Sequence, residues 1–196
     1  MKPHNEHYAM ELIIAKVKSG DLTAFSVLVD EHKAMAFTLA LRLLKSREDA
    51  EEVTQDSFLK AYKNIGQFKE EAKFSTWLYS IVYNTALTYL RKKKLKTTEI
   101  SDLSVGNLLE LSEPDSAWRR LQKEERAGFI KLALSRLSGD DQLAITLFYL
   151  NENSLQEITE ITNWELSNVK VRLHRARKRL LIELERLLNH EVRTLL

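Results

Sequence analysis

The chain has 196 residues, of which 44% are hydrophobic and 30% charged; this is typical of a globular protein with one large or two small domains. The formal net charge is only +2, so any binding of a polyanion must depend on local segregation of charge. The absence of cysteine excludes disulfides, thiolate zinc sites and cysteine nucleophiles, and the lack of a long apolar run or signal-peptide pattern predicts a cytoplasmic protein without membrane insertion.

The N-terminal part of the chain shows apolar residues at helical spacing, with few glycines and prolines to interrupt them. A first helix is expected from about Tyr8 to Ser19, with Gly20 ending it and Asp21 capping the next helix. Residues 21–46 predict one long helix or two. The residues expected to face inward along it are Phe25, Leu28, Val29, Ala36, Leu39, Ala40 and Leu43.

Two further helices are predicted before residue 96, and their charges are segregated. Ser46 with Asp49 resembles a capping box that opens an acidic helix, which Gly66 ends. Ser75 begins a second, aromatic-rich helix. It finishes in the basic run RKKKLK at residues 91–96, where such a charge is favoured by the helix dipole.

The character of the sequence changes after Lys96. Residues 97–116 contain five acidic residues and no Lys or Arg, which is typical of a linker. The predicted organisation is therefore all-α, with two small helical domains at residues 1–96 and 117–196 joined by this acidic linker.

The C-terminal part predicts a helix-turn-helix. Ser154 can cap a short helix, Asn163 suits the turn because it tolerates left-handed backbone angles, and Ser167 can cap the following helix. A helix-turn-helix places its second helix in the DNA major groove.

The second of these helices has an apolar stripe and an otherwise cationic surface. Its apolar residues, at spacings of four, three and four, are Val169, Leu173, Ala176 and Leu180. The residues expected on the opposite face are Lys170, Val171, His174, Arg175 and Lys178. The residues expected to contact phosphates or pack at the helix edges are Lys170, Arg172, Arg177 and Arg179. A basic surface helix without a nucleic-acid partner is the alternative.

Aromatic residues precede the basic run at residues 91–96 and permit two interpretations. Aromatic rings beside cations suit an unpaired nucleic-acid strand, because bases stack on the rings while Lys and Arg hold phosphates. Their helical spacing also suits a hydrophobic core. The residues concerned are Phe68, Phe74, Trp77, Tyr79, Tyr83 and Tyr89. The acidic helix is likewise either a solvated surface or a docking face for a basic partner.

Three segments in this order and spacing resemble the extracytoplasmic-function (ECF) group of bacterial sigma factors, within the sigma-70 family. They are DAEEVTQDSFLKAYKNI, FSTWLYSIVYNTALTYLRKK and LQEITEITNWELSNVKVRLHRARKRL. The resemblance implies a protein that binds core RNA polymerase and directs promoter-specific transcription initiation. It also implies control by an anti-sigma factor.

The resemblance assigns a role to each domain, with residues 1–96 as sigma region 2 and 117–196 as sigma region 4. Region 2 would bind the polymerase clamp through Asp49, Glu52, Gln55, Asp56 and Phe58. It would recognise and help to melt the minus-10 element through Phe68, Lys73, Phe74, Asn84 and Arg91. Region 4 would read the minus-35 element through Lys170, Val171, His174, Arg175 and Lys178.

Two other classes of function remain open at this point. A DNA-binding regulator with an unrelated sensor domain explains residues 154–180 equally well, but not the acidic helix or the aromatic-to-basic segment. A helical enzyme is the other alternative, although the five histidines are scattered and no metal-ligand spacing is evident. We expect no catalytic residues, no cofactor and no metal.

Overall fold

The computed structural model describes residues 3–96 and 128–194, and these residues contain helices, turns and loops but no β-strand. The all-α prediction is confirmed. The segment predicted to be an acidic linker, 97–116, lies outside the described residues. The chain divides into two compact units, one built on the N-terminal helices and the other mainly on the C-terminal helices.

The first unit contains four helices. They are α1 (Pro3–Lys18), α2 (Leu22–Leu44), α3 (Arg47–Asn64) and α4 (Phe74–Lys96), with a 3₁₀ turn at Ile65–Gln67 between α3 and α4. The segment for which the sequence allowed one helix or two is a single helix, α2. Asp21 caps it as predicted, since its carboxylate accepts hydrogen bonds from the backbone N–H groups of Thr23 at 2.8 Å and Ala24 at 3.1 Å.

The ends of α3 and α4 agree with the sequence to within a turn. Ser46 caps α3, and its hydroxyl accepts a hydrogen bond from the backbone N–H of Asp49 at 3.3 Å. The helix ends at Asn64, and the chain tightens into the 3₁₀ turn that contains Gly66. Helix α4 begins at Phe74, one residue before the predicted start.

The core of the first unit lies between α2, α3 and α4, which are in extensive contact with one another. Its largest fully buried side chains include Leu28, Leu39, Val53, Leu78 and Val82. Each such side chain contributes about 1.5–3 kcal/mol relative to leaving it exposed. This burial fixes which faces of α3 and α4 remain at the surface.

The remaining helices belong to the second unit, except that residues 159–163 are grouped with the first unit. They are α5 (described from 128 to 135), α6 (Gly139–Ile145) with a following π-helical turn (Thr146–Leu150), α7 (Leu155–Thr162) and α8 (Leu166–Thr194). Ser138 caps α6, because its hydroxyl accepts a hydrogen bond from the backbone N–H of Asp141 at 3.3 Å. Helix α6 packs on α8.

Candidate nucleic-acid interface

The connection from α7 to α8 has the predicted helix, short turn and helix order. Ser154 and Glu157 form a full capping box at the start of α7. The N–H of Ser154 donates to Glu157 Oε2 at 2.8 Å, and the N–H of Glu157 donates to Ser154 Oγ at 3.2 Å. Asn163 has a φ of +56°, which is the left-handed conformation expected at the turn.

The predicted start of the basic helix is wrong by two residues. Helix α8 begins at Leu166, so Ser167 lies within its first turn and does not cap it. The first helical hydrogen bond is already made by the N–H of Val169 to the carbonyl of Glu165, at 2.9 Å.

The apolar stripe of α8 faces the core, as its spacing predicts. Val169, Leu173 and Ala176 are buried, and Leu180 packs against a cluster that joins α8 to α5 and α6. The members of this cluster are Leu134, Leu137, Ile145 and Ala176. The stripe therefore fixes the rotation of α8 and determines which cations point outward.

Three arginines of α8 are held by neighbouring side chains of the same unit. Arg172 forms an ion pair with Asp140 at 2.5 Å and lies over the ring of Trp164 at 4.3 Å. Arg179 forms an ion pair with Asp141. These two arginines pack at the helix edges, which was one of the two roles expected of them.

Arg177 packs in a different way. Its guanidinium lies 5.4 Å from the ring centroids of both Phe148 and Tyr149, in the π-helical turn. The turn that follows α6 therefore contributes two aromatic rings to the contact with α8.

The remaining polar side chains of the outer face of α8 point to solvent. Val171, with 46% of its surface exposed, lies among them. Within the described residues, neither an ion pair nor a side-chain hydrogen bond engages the exposed Lys170, His174, Arg175 and Lys178. The outer face therefore presents cations and hydrogen-bond donors that have no partner within residues 3–96 and 128–194, and such a surface suits an anion.

The acidic face of α3 is also at the surface. Glu52, Gln55 and Asp56 are exposed, and Asp56 pairs with Lys60 on the same helix at 2.7 Å. Leu59 continues this face and is 60% exposed. The sequence offers Leu59 for packing or for a partner, and its position four residues after Gln55 and seven after Glu52 places it on the same side of the helix as those two residues.

Phe58 points the other way. It is 7% exposed, and its ring packs edge-on against Phe25 of α2 with centroids 6.5 Å apart. The structure thus places the ring in the core, and Leu59 is the large apolar side chain that the acidic face presents.

Asp49 is tied to α4. Lys93 Nζ lies 2.6 Å from Asp49 Oδ2, and Tyr89 Oη donates a hydrogen bond to Asp49 Oδ1 at 2.8 Å. Partial burial acts to raise the pKa of the Asp49 carboxyl, but the hydrogen bonds from Lys93 and Tyr89 outweigh it and lower that pKa. The same hydrogen bond to Asp49 is the main cause that raises the pKa of Tyr89 to about 12.

The aromatic residues before the basic run lie largely in the core. Phe68 and Phe74 are 5% and 3% exposed, and both rings contact Trp77, with centroids 5.2 Å and 5.8 Å away. The structure therefore favours the core interpretation for these rings. Neither Phe68 nor Phe74 is therefore exposed to make the predicted contact with the minus-10 element. The packing of their rings instead fixes the two ends of the loop at residues 68–73.

The polar residues predicted for the same element are at the surface. Lys73, Asn84 and Arg91 are all exposed. Asn84 Nδ2 donates a hydrogen bond to the carbonyl of Ser80 at 2.8 Å, which holds the amide against its own helix. Lys73 is the last residue of the loop, and the other two lie along α4.

A buried histidine packs against one of the buried aromatic rings, that of Phe74. His32 of α2 contacts the ring of Phe74, with centroids 5.4 Å apart, and its Nδ1 is 3.5 Å from Tyr79 Oη. Burial lowers the pKa of His32, an effect that the nearby Glu31 carboxylate partly opposes, and burial raises the pKa of Tyr79 to about 12. The imidazole is therefore neutral at physiological pH.

Comparison with known proteins identifies both parts of this arrangement. Residues 28–96 match the family described as Sigma-70 region 2, and residues 130–180 match Sigma-70, region 4. The chain is 35% identical over 187 residues to the ECF RNA polymerase sigma factor SigW of Bacillus subtilis (strain 168), covering 87% of this chain and 96% of that relative. The chain is an ECF sigma factor of the sigma-70 family.

Further comparisons agree with this assignment. The sigma factor is 30% identical over 182 residues to the ECF RNA polymerase sigma-E factor of Salmonella typhimurium (strain 14028s), covering 89% of this chain and 93% of that relative. Its fold resembles that of the sigma factor RpoE solved in complex with the anti-sigma factor NepR from Bartonella quintana. The TM-score is 0.67 at 22% identity, covering 82% of this chain and 96% of that one.

The family decides between the alternatives that the sequence left open. The protein is a transcription initiation factor that directs RNA polymerase to promoters, as predicted, and not a regulator with an unrelated sensor domain. None of the described helices combines the length and apolarity needed to cross a membrane.

Proposed function

We propose that this sigma factor reads the minus-35 element with the outer face of α8. The observation that carries the proposal is the division of cations on that helix. Arg172 and Arg179 form ion pairs with side chains of their own unit, and Arg177 packs over aromatic rings of the same unit. The residues proposed to face DNA are the exposed Lys170, Val171, His174, Arg175 and Lys178.

Within this face the roles differ by chemistry. Arg175 can make a bidentate contact to guanine, which is worth about 1–3 kcal/mol of discrimination against the wrong base. Lys170 and Lys178 are point charges that suit phosphates, and phosphate contacts position the helix without specifying the sequence.

Minus-10 recognition is proposed for the loop at residues 68–73 and the adjoining face of α4. Lys73, Asn84 and Arg91 would contact the DNA directly, because their side chains are exposed. Phe68 and Phe74 would act from beneath, since their buried rings hold the loop in place.

Core RNA polymerase is proposed to bind the exposed face of α3. Glu52, Gln55 and Asp56 would supply polar and charged contacts, and Leu59 would add the apolar contact that protein interfaces commonly centre on. Asp49 would act indirectly by holding α3 against α4, and Phe58 by packing against α2.

The domain limits and partners complete the proposal. Residues 1–96 would act as region 2, 97–116 as a linker and 117–196 as region 4. A sigma factor of similar fold was solved with an anti-sigma factor, which supports a partner of that kind here. The protein would act in the cytoplasm, where its polymerase and DNA are, and would supply no catalytic residue, cofactor or metal.

Transcription in vitro tests the function directly. Purified bacterial core polymerase is supplied with a promoter library, with and without the protein. We expect protein-dependent transcripts whose promoters share two spaced motifs. Folded protein that binds an operator without polymerase, and adds no transcripts with a cognate core, would contradict the proposal.

The polymerase face is tested separately by competition for core. Leu59→Asp is expected to weaken core affinity by roughly tenfold or more, because it places a charge at the apolar centre of the interface. The matched control is Val27→Asp, another exposed apolar position, on α2 (45% exposed), that has no proposed partner. Equal losses in both variants would remove the interface from α3.

A further inference from the structure

One lysine joins α1 to the loop at residues 68–73. Lys18, the last residue of α1, donates a hydrogen bond from Nζ to the backbone carbonyl of Phe68 at 3.0 Å. The same ammonium lies 2.6 Å from Glu70 Oε1 and 5.9 Å from the centroid of the Phe68 ring. Fifty residues of chain separate Lys18 from Phe68, so this is a tertiary contact.

The loop that Lys18 contacts has backbone strain of its own. Glu70 has a φ of +61°, a left-handed conformation that costs a non-glycine residue about 1 kcal/mol or more. Such a conformation persists only where surrounding contacts hold it. Lys18 forms its ion pair with the strained residue, Glu70, and donates its hydrogen bond to Phe68, two residues earlier.

The loop is otherwise fixed mainly at its ends. Phe68 is buried at one end and Phe74 at the other, whereas Lys69, Glu70 and Glu71 are exposed between them. A contact to the middle of such a segment restricts its conformations more than a further contact at a buried end would.

We propose that Lys18 is a positioning residue for minus-10 recognition. It does not touch DNA, but it holds the loop at residues 68–73 in the conformation that binds the promoter. This inference rests on the function proposed for the loop. Lys18 and Glu70 are partly exposed, with 30% and 39% of their side-chain surfaces accessible. Their pairing therefore contributes little to global stability and acts locally.

The first experiment measures promoter choice by the holoenzyme. Lys18→Met removes the ammonium and keeps the aliphatic stem, and Lys18→Arg keeps the charge. The matched control is Lys16→Met, an exposed lysine on the same helix. For Lys18→Met, we expect the preference for the best minus-10 element over single mismatches to fall about threefold to tenfold, the range for losing one hydrogen bond of ordinary strength, because solvent screens this partly exposed charge.

The other readouts distinguish positioning from a general defect. Core affinity and minus-35 preferences should stay unchanged in Lys18→Met, and Lys18→Arg should keep most of the minus-10 preference. Glu70→Gln should lose part of the same preference, because the hydrogen bond from Lys18 to the Phe68 carbonyl remains, and the double variant should be no worse than Lys18→Met alone. A uniform loss across all promoters, with minus-10 preferences intact, would overturn the inference.

Hydrogen exchange of the free, full-length protein tests the contact without transcription. Amides of residues 68–73 should exchange at least about threefold faster in Lys18→Met than in Lys16→Met, with α2 and α3 unchanged. Unchanged exchange in the loop would overturn the positioning role. If wild-type protein directs no transcription while the loop amides still respond to Lys18→Met, the proposed function fails and the contact stands.

Discussion

Asp49 of α3 and Lys93 of α4 form an ion pair of 2.6 Å between positions 44 residues apart in the chain, and Tyr89 donates a hydrogen bond to the other oxygen of the same carboxylate. The acidic helix and the basic end of α4 are thereby joined by one carboxylate. Asp49 is largely covered, with 14% of its side chain exposed, whereas Lys93 remains 54% exposed. Breaking the contact would therefore leave the less exposed Asp49 carboxylate, more than the Lys93 ammonium, without its stabilising partner.

Replacing Asp49 with Asn should destabilise the protein by about 1–2 kcal/mol at pH 7, because two hydrogen bonds to a charged group are weakened and one partner is exposed. Urea unfolding measures the change. Glu51→Gln, which removes an exposed pair with Arg47 on the same helix, is the control and should cost less than about 0.5 kcal/mol. Equal costs would show that Asp49 contributes only as a surface charge.

The Asp49 contact also predicts acid sensitivity. The pKa of Asp49 is lower in the folded protein than its ordinary value of 3.8, so the unfolded chain takes up the proton first as pH falls. The stabilisation is present above about pH 4 and is lost as pH falls through the folded pKa. Unfolding of wild type and Asp49→Asn between pH 5 and pH 2 should show the difference between them shrinking, and a constant difference would contradict this.

His32 predicts a separate change at higher pH. Because burial lowers the pKa of His32 below 6.5, the unfolded chain binds a proton before the folded protein does, and stability falls as pH decreases below about 6.5. A single site can contribute at most about 1.4 kcal/mol per pH unit. Thermal unfolding from pH 7.5 to 5 should lose this component in His32→Gln and keep it in His174→Gln, whose ring is exposed. Loss in both variants would assign the effect elsewhere.

Asn163 should tolerate glycine better than alanine. Its φ of +56° is unstrained for glycine, so Asn163→Gly should leave stability unchanged or raise it by up to about 1 kcal/mol. Asn163→Ala should lower it by about 1 kcal/mol, because a Cβ is disfavoured in this conformation. Thermal unfolding compares the pair directly. Equal destabilisation by both changes would mean that the amide side chain, not the backbone angle, matters at the turn.

Arg175 and Lys178 should differ in kind. Arg175→Ala should reduce binding to some minus-35 sequences by about 1–3 kcal/mol more than to others, since a bidentate base contact is lost. Lys178→Ala should weaken all sequences alike and reduce the salt dependence of binding by about one unit of slope. Holoenzyme binding to a minus-35 library at several salt concentrations measures both. The control is Arg186→Ala, which removes an ion pair with Glu183 and should change neither the sequence preference nor the salt dependence. Equal losses across the library for Arg175→Ala would show that Arg175 does not read a base.

Local patterns in the sequence were sufficient to predict much of this architecture. The capping residues Asp21, Ser46 and Ser154 lie where predicted, because a cap depends on backbone groups only two or three residues away. The rotation of α8 followed from its apolar spacing. Phe58 and Leu59 are adjacent and both apolar, so only the packing of α3 against α2 distinguishes the buried ring from the exposed side chain.

Contacts between distant segments could not be predicted in the same way. Arg172 and Lys170 look equivalent in the sequence, yet Asp140 lies beside only one of them. The charge run from 167 to 180 therefore overstates how many cations are available to DNA. Lys18 carries no local signal at all, because its partners are fifty residues further along the chain.

The position of Lys18 has a consequence for chimeric proteins. The segment that matches Sigma-70 region 2 begins at residue 28, and Lys18 precedes it. A hybrid assembled at that boundary would inherit every side chain proposed to meet the minus-10 element, but its loop would rest on the first helix of another parent. Its promoter choice would then depend on the parent that supplied the first helix, although that parent contributed no residue proposed to contact the minus-10 element.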